Sequence, residues 1–398
     1  MATATRAPVS PSTASTAALC VEWWRATLCW VRVTLVVPAY NVAGAIEATL
    51  KSITALDPPA HEVLIINDGS SDATGDILRA FQEQASVPGL RIFEQHNQGV
   101  SVARNVGIRE ATGDYVVFVD GDDAVAPQLV EKVSQTAGDE PADIICWRSR
   151  HLEYESLGVS LDHIWSNTPA RASGLDTLLH VVVHRDRLIW TGSAAYRVGF
   201  LRANALTYTP GCASAQDIEF LWKALSLAAE VTFVDAPLST YIWRQDSTTH
   251  SISVSRFDGV LAYQRAADFI LGQGPAFRKT AEAAQARVIP RYMDYLLLIA
   301  RDRPAELSST ILQADRRNPG LTRHIRLLIV REVLRGRRMP RRWRLFAASP
   351  KLFVLHSVWT TRRRHLALGN LTLEALKPSD SSSRPMHDRS QSSRVAPD

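Results

Sequence analysis

An apolar run from Tyr115 to Val119 stops abruptly at Asp120-Gly121-Asp122-Asp123, and it constrains this chain more than any other stretch. Val, Phe and Tyr bracketed by Gly-Asp turns read as a buried strand. Three carboxylates crowded at its C-terminal end repel one another unless a cation lies among them. Oxygen-only ligands of this kind suit Mg²⁺ or Mn²⁺, usually beside the phosphates of a substrate. In an open α/β sheet the carboxyl ends of the strands are also where ligands sit. Taken alone, the same segment reads equally as a solvated Asp-Gly turn closing a hairpin.

The neighbouring stretches favour the first reading. Val33 to Val37 is apolar except for Thr34 and ends at Pro38, a first buried strand. Ile46, Leu50, Ile53 and Leu56 then recur at helical spacing. Glu62 to Ile66 makes a second strand, ended by Asn67-Asp68-Gly69-Ser70-Ser71-Asp72. Ser70 or Ser71 is placed to cap the next helix, with Ile77 and Phe81 turned inward. Leu90 to Phe93 is a third strand, followed by a helix over 99–112, the central strand, a helix near 127–138 and a strand at 143–147. Short strands alternating with helices predict a doubly wound, mostly parallel sheet flanked by helices, an α/β fold. No GxGxxG follows the first strand and no GxxxxGK[ST] occurs anywhere, which argues against NAD and against a P-loop. The strand ends hold Pro38, Asp68 and Asp120 to Asp122 instead, an acidic site that uses a metal.

Residues 151–210 are less regular, with a helix expected at 175–184. Further on, Ser214 is placed to cap a helix whose Ile218, Leu221, Trp222, Leu225 and Ala228 share one apolar face. Asp217 and Glu219 fall near its start, where the helix dipole favours acidic side chains. That preference alone would also account for Asp217. Val231 to Val234 is a further strand, and after Arg256 the chain turns helical. Tyr263, Ala267, Ile270 and Leu271 suit one amphipathic helix, and 292–300 another.

The formal net charge of +5 conceals an asymmetry. Residues 323–364 carry 13 Arg or Lys against Glu332 alone, a local balance of +12 that leaves the rest of the chain at −7. Over 324–346 the Arg residues interleave with Leu, Ile, Val, Trp and Phe, as in helices with an apolar and a strongly basic face. Such a region suits an anionic membrane surface or a polyanionic acceptor, or simply packs on the body with its Arg face solvated. Nucleic acid is not expected as a partner, because no recognition module accompanies the basic residues. An oligomer is left open.

Four units follow. Residues 1–16, rich in Ser, Thr, Ala and Pro, lack a secretory pattern and are expected to be disordered. Residues 17–255 form the catalytic domain, opening with a Trp-rich helix over 17–30 that packs on the body or anchors at an interface. Residues 256–375 form the helical, basic C-terminal region, and 376–398 a disordered tail. Four cysteines without CxxC spacing point to ordinary reduced thiols and no structural zinc. No stretch approaches 18 continuous apolar residues, so the expected location is cytoplasmic, peripheral at the inner face of the cell membrane.

Taken in order, VVPAYN at 36–41, NDGSSD at 67–72, NQGVSVARNVGI at 97–108, GDYVVFVDGDD at 113–123 and QDIEF at 216–220 resemble a family 2 glycosyltransferase of the GT-A fold, the non-processive, inverting type. YIWRQDSTTHSIS at 241–253 resembles the variable loop that follows the catalytic helix in that family. The resemblance spans about half the chain, from residue 32 to residue 250. It implies a UDP-sugar donor, Mn²⁺ or Mg²⁺, and a glycan or lipid-linked acceptor. It also implies roles. Pro38 and Tyr40 would border the base, with Tyr40 stacking on uracil, and Asp68 would accept from the uracil N3–H. Arg104 would approach the base or diphosphate, Asp120 would face the ribose, and Asp122 would bind the metal. Asp123 would orient the sugar or a metal-bound water, and Arg244 and His250 would reach the donor phosphates from the loop. Asp217 matches the catalytic base.

One position departs from the family pattern: Gln216 stands where many members have Glu, so a charge beside the base is lost. No QxxRW motif is present. Two other functions fit parts of the pattern. A nucleotidyltransferase of related fold would need a basic, Gly-rich triphosphate loop after the first strand, and VVPAYNVAG has no basic residue. A non-catalytic nucleotide-sugar or glycan-binding scaffold would not need all of Asp68, Asp120, Asp122 and Asp217.

Overall fold

The computed structural model describes residues 31–138, 140–151, 168–242 and 253–360. The expectations for 1–30, for Trp243, Arg244 and His250, and for 361–398 fall outside these residues.

Strand β1 (Val33–Ala39) is buried along its whole length, because helices cover both faces of the sheet. The strand pleat sends alternate residues to opposite faces. Leu35 and Val37 join the core beneath α1 (Ile46–Thr54), while Val36 joins the other core with Ala103 and Ile108 of α3 (Val100–Glu110). β2 (Glu62–Asn67) and β4 (Tyr115–Phe118) flank β1 in parallel, and β3 (Leu90–Glu94) pairs outside β2. Helix α2 (Thr74–Gln84) crosses between β2 and β3. Chain direction away from β1 therefore reverses between β1 and β4, the crevice where such sheets bind ligands.

Beyond β4 the sheet is mixed. β8 (Ala194–Arg197) runs antiparallel to β4 and to β6 (Ile144–His151), and β9 (Val231–Tyr241) runs parallel to β6. Short β5 (Ala124–Val125) and β7 (Arg171–Ala172) pair antiparallel with β9. Among the described residues the sheet has nine strands, in the order β3-β2-β1-β4-β8-β6-β9-β5 with β7 on β9. The middle segment thus contributes β8, and β9 runs well past Val234.

A close approach of α3 to β1 positions the site. A Cβ on Gly107 would lie 2.3 Å from a Val36 methyl, so only glycine lets the helix settle there. Arg104, one turn earlier, is thereby brought over the end of the sheet.

Helices α4 (Leu129–Ala137), α5 (Gly174–Leu179), α6 (Val198–Ala203) and α7 (Gln216–Leu227) complete the first part. α8 (Asp258–Gly272), α9 (Arg278–Gln285), α10 (Val288–Asp302), α11 (Leu307–Arg317), α12 (Leu321–Leu334) and α13 (Arg341–Ala348) follow, then a helical run over 350–360. One apolar core runs from Phe118 and Phe220 through Tyr292, Leu296, Ile325 and Ile329 to Phe346 and Phe353. The C-terminal helices therefore share the core of the sheet. Buried Asp258 fixes the join: Arg317 donates to it at 2.7 and 2.6 Å, Asn318 at 3.1 Å and the Ala213 N–H at 3.1 Å.

Local details differ from the sequence reading at three places. Ser70 and Ser71 do not cap α2, because both are used by Asn41; Asp72 accepts the Thr74 N–H at 3.0 Å instead. On α2, Thr74 and Leu78 are the fully buried residues, with Ile77 and Phe81 only half-buried. α7 starts from Ala215 in the left-handed region (φ 56°) with no side-chain cap, and Leu271 on α8 is 53% exposed.

Candidate active site

The loops after β1 and β2 are stitched into one rim. Asn41 sits at φ 50°, and its side-chain oxygen accepts the Ser71 N–H at 2.8 Å while its own N–H donates to Ser70 Oγ at 3.1 Å. Asp72 accepts the Ala43 N–H at 3.0 Å, and Thr74 Oγ1 accepts the Val42 N–H at 2.9 Å. The NDGSSD stretch is thus mostly scaffold for the Tyr40-Asn41 turn. Tyr40 is left 48% exposed on this rim, and Pro38 is buried beneath it.

Asp68 is buried, and its carboxylate accepts Gln95 Nε2 at 2.6 Å and the N–H groups of Gln98 and Gly99 at 2.8 Å each. These bonds hold the entry to α3, and one further lone pair of Oδ2 remains for a base N–H. Gly69 is required alongside, since its φ is 71° and a Cβ would lie 2.7 Å from the Asn97 nitrogen.

At the end of β4 the acidic cluster meets a buried cation. Arg104 is 3% exposed, donates to Asp120 Oδ1 at 2.6 Å and lies over the Tyr208 ring at 5.1 Å. Burial opposes its charge, but Asp120, Tyr208 and Asp217 together outweigh that, and its pKa is raised. Asp122 is half-buried. Asp123 accepts the Ile242 N–H at 3.1 Å, and burial, with the charges of Asp120 and Asp122, pushes its carboxyl up to about 8. Among the described residues no three His, Cys, Asp or Glu side chains form a complete metal cage. A hard cation fits this place in another way. Crowding that holds one carboxyl protonated near neutral pH is relieved by a divalent ion, which would take Asp122 and complete its shell with donor phosphate oxygens and water.

Asp217 stands half-buried in the first turn of α7, and its charge acts on Arg104, Tyr208, Tyr196 and Tyr263. Asp120, Arg104 and Asp217 are therefore gathered at one end of the sheet, although they come from three separate segments. Asn105 makes this possible. Its amide donates to the Tyr208 carbonyl and accepts the Tyr208 N–H, both at 2.8 Å, as a strand would. Tyr208 in turn stacks on Phe220 of α7 at 4.0 Å and 4°. Several buried polar atoms at this point have no hydrogen-bond partner among the described residues: Arg104 Nε and Nη1, the hydroxyls of Tyr196 and Tyr208, and Gln216 Oε1. Buried groups of this kind are ordinarily satisfied by water or ligand.

Sequence reasoning missed Asn105 and Tyr208, and it also missed an aromatic wall. Trp190 is 40% exposed and stacks nearly parallel on Tyr241 at 6.5 Å, with His151 packed against both. Tyr241 precedes Ile242, whose N–H holds Asp123, so this wall borders the acidic cluster. Only the spacing of Trp190 before Thr191-Gly192-Ser193 could have hinted at it.

Glu219, two residues from Asp217, has a different duty. It is 2% exposed and accepts from Arg265 at 2.6 and 2.9 Å, from Lys223 at 2.6 Å and from Thr209 at 2.8 Å. Burial would raise its pKa, but the Arg265 and Lys223 hydrogen bonds prevail and it is lowered. Its contribution to stability is accordingly present above the unfolded carboxyl pKa and is lost as pH falls through the folded value. Glu219→Ala strands two cations and is expected to cost about 3 kcal/mol by denaturant titration at pH 7, the low end for a broken buried pair because Arg265 is partly exposed. Glu219→Gln should flatten the loss of stability below about pH 4. An unchanged acid limb would remove Glu219 from this role.

The chain was compared with known proteins. Residues 34–195 match the family model for Glycosyl transferase family 2. The uncharacterized glycosyltransferase YibD of Escherichia coli is 29% identical over 233 residues, 56% of this chain. The cholesterol galactosyltransferase of Borreliella burgdorferi is 31% identical over 231 residues, again 56% of this chain. The chain spans 63% of the length of each of these two relatives. In fold, it is similar to S. aureus TarS 1–349 in complex with UDP-GlcNAc, with a TM-score of 0.60 at 17% identity over 84% of this chain and 92% of that one. The same TarS fragment in complex with UDP gives a TM-score of 0.56 at 16% identity, over 84% and 91%.

Proposed function

We propose that this chain, whose residues 34–195 match the Glycosyl transferase family 2 model, moves a sugar from a UDP-sugar to an acceptor hydroxyl, with inversion at the anomeric carbon. One observation carries this reading: Asp217 of α7 lies within electrostatic reach of Arg104, and Arg104 is bonded to Asp120 at the end of β4. In this reading the donor lies on the Asp120 side of Arg104 and the base on the Asp217 side.

In this reading Tyr40 stacks on the uracil over Pro38, and Asp68 Oδ2 accepts the base N–H. Asp120, held by Arg104, faces the ribose. Asp122 would hold Mn²⁺ or Mg²⁺, and the ion would supply Lewis-acid stabilisation to the departing phosphate. Asp123 and the Trp190–Tyr241 wall orient the sugar. Asp217 takes the acceptor hydroxyl proton while that oxygen attacks the anomeric carbon and the bond to the diphosphate oxygen breaks. A single displacement with one base inverts the configuration. Neutral Gln216 places no like charge beside Asp217.

The acceptor class in this reading is a cell-surface glycan or a lipid-linked intermediate at the membrane. The outer face of α12 supports a peripheral membrane position, with Leu327 (59%), Val330 (44%) and Leu334 (83%) exposed at helical spacing. Exposed Arg323, Arg338 and Arg341 accompany them. No helix among the described residues is long and apolar enough to cross a membrane. Leu334→Asp should lower co-sedimentation with phosphatidylglycerol vesicles roughly ten-fold, the worth of one buried leucine. Undiminished sedimentation would reject the membrane contact.

The test of the function itself is a donor panel. With UDP-, GDP- and dTDP-sugars, Mg²⁺ or Mn²⁺ and a cell-envelope acceptor extract, UDP release above the acceptor-free rate is expected. Release from GDP- or dTDP-sugars only would overturn the UDP assignment, and release from none would overturn the enzyme reading.

A further inference from the structure

Farther along α7 from Asp217, a solvent-open pocket of about 200 Å³ is lined by Arg185, Tyr263, Arg287, Pro290, Arg291 and Asp294. Three guanidiniums share it with one carboxylate, and no ion pair engages any of the three. Arg104, Arg265 and Arg317, by contrast, each hold a carboxylate at 2.6 Å, and buried Arg187 has Asp176 at 3.8 Å.

The pocket arginines are fixed in place by neutral contacts instead. Arg287 donates to the Val182 carbonyl at 2.7 Å and lies over the Trp222 ring of α7 at 5.1 Å. Arg291 lies over the Tyr295 ring at 4.8 Å. The Nε atoms of both are buried without a hydrogen-bond partner. Arg185 is exposed at the pocket lip, at the end of the π-helical turn His180–His184, and its φ of 58° is a conformation that L side chains rarely adopt. Burial, together with the charge of Arg185, lowers the Arg287 pKa, a further sign of uncompensated positive charge. Planar guanidiniums with free N–H groups are the side chains best matched to phosphate oxygens.

The pocket also communicates with the base. Tyr263 forms its wall and packs edge-on against Trp222 at 5.3 Å. The charges of Arg291, Arg287 and Asp217 all act on the Tyr263 hydroxyl. From Arg185 the chain continues directly to Trp190 and to Gly192, which passes the end of β4.

We propose that the Arg185–Arg287–Arg291 pocket binds a phosphate group of the acceptor, so that the substrate is a phosphate-bearing chain whose hydroxyl is presented to Asp217. The assignment of Asp217 as base, and hence of an acceptor on this side, rests on the transferase reading above. The phosphate belongs either to a soluble phosphodiester chain or to a lipid headgroup, and the two sources are separable by experiment.

The test uses the full chain with saturating UDP and Mg²⁺, so that the donor site is occupied. Glycerophosphoglycerol, a soluble phosphodiester, is titrated calorimetrically, and phosphatidylglycerol vesicles are titrated in parallel by sedimentation. Arg185→Gln and Arg291→Gln are compared with the unaltered protein. Arg185 makes no side-chain hydrogen bond or ion pair among the described residues, so its variant guards against a folding artefact. Binding of one probe, weakened about ten-fold or more by both substitutions while UDP affinity stays within two-fold, is the expected result. Variant-sensitive binding of the phosphodiester assigns a polymer acceptor, and variant-sensitive binding of vesicles alone assigns a lipid. Affinities for both probes that do not change with either substitution, or no binding of either probe, would overturn the proposal. Failure to bind UDP would instead count against the transferase reading and leave the phosphate titration to be judged alone.

Discussion

Asp217→Asn is expected to lower sugar transfer about a thousand-fold, within the range seen when a positioned general base is removed, while UDP affinity stays within about a factor of two. The two readouts separate because Asp217 stands on α7 and the rim proposed to take the nucleotide is built from β1, β2 and α3. Asparagine has the size of aspartate and is tolerated in a first helical turn, so the melting temperature should hold. A helix-starting role alone would show the opposite pattern, with near-normal transfer and a lowered melting temperature. The outcome is informative in either case because Glu219, the residue that braces α7, is left untouched by the substitution.

The second large effect is expected at Asp122. Asp122→Asn should abolish measurable transfer and remove the stimulation of UDP binding by Mn²⁺, leaving the metal-free affinity for UDP nearly unchanged. A neutral amide is a weaker ligand for a hard divalent cation, and no three-residue cluster among the described residues offers a substitute cage. Burial holds the Asp123 carboxyl up to about 8, and the substitution removes the smaller part that the Asp122 charge adds. Retained Mn²⁺ stimulation in this variant would move the metal to another carboxylate.

Much of this arrangement was legible in the sequence because it depends on local pattern. The strands β1, β2 and β4 announce themselves as apolar runs ending in Pro38, Asn67 and Asp120, and a two-residue pleat period sorts their side chains into two cores without further information. The site residues lie at those strand ends, so position and chemistry coincide. From its own chemistry Asp217 was legible only as an acidic residue in a first helical turn, its role as base came from the QDIEF resemblance, and its nearness to Arg104 depends on contacts more than a hundred residues apart in the chain.

What could not be read shares that non-local origin. Asn105 acts by presenting both halves of its amide to the Tyr208 backbone, and nothing in ARN distinguishes it from a solvated helix residue. Ser70 and Ser71 look like helix caps until Asn41, nearly thirty residues earlier, takes them up. Ser214 looks like a cap as well, yet the chain enters α7 through Ala215 in a left-handed turn. Glu219 and Asp217 carry the same side-chain chemistry two residues apart, and only the rotation along α7 turns one toward Arg265 and the other toward Arg104. The mixed half of the sheet was hidden for a simpler reason. β8 is four residues long, and its partners lie on either side of it at distant points in the chain.

The claim at the centre is that the donor diphosphate lies at the end of β4 with Asp217 across the sugar from it. A crystal of the protein soaked with Mn²⁺ and a non-transferable UDP-sugar analogue, read by the anomalous signal of manganese, tests this directly. The expected result is a manganese peak in coordinating contact with Asp122, uracil between Tyr40 and Asp68, and the Asp217 carboxylate facing the anomeric carbon from the side opposite the diphosphate. A manganese or nucleotide position elsewhere on the sheet, or an Asp217 carboxylate on the same side of the sugar as the phosphates, would contradict it.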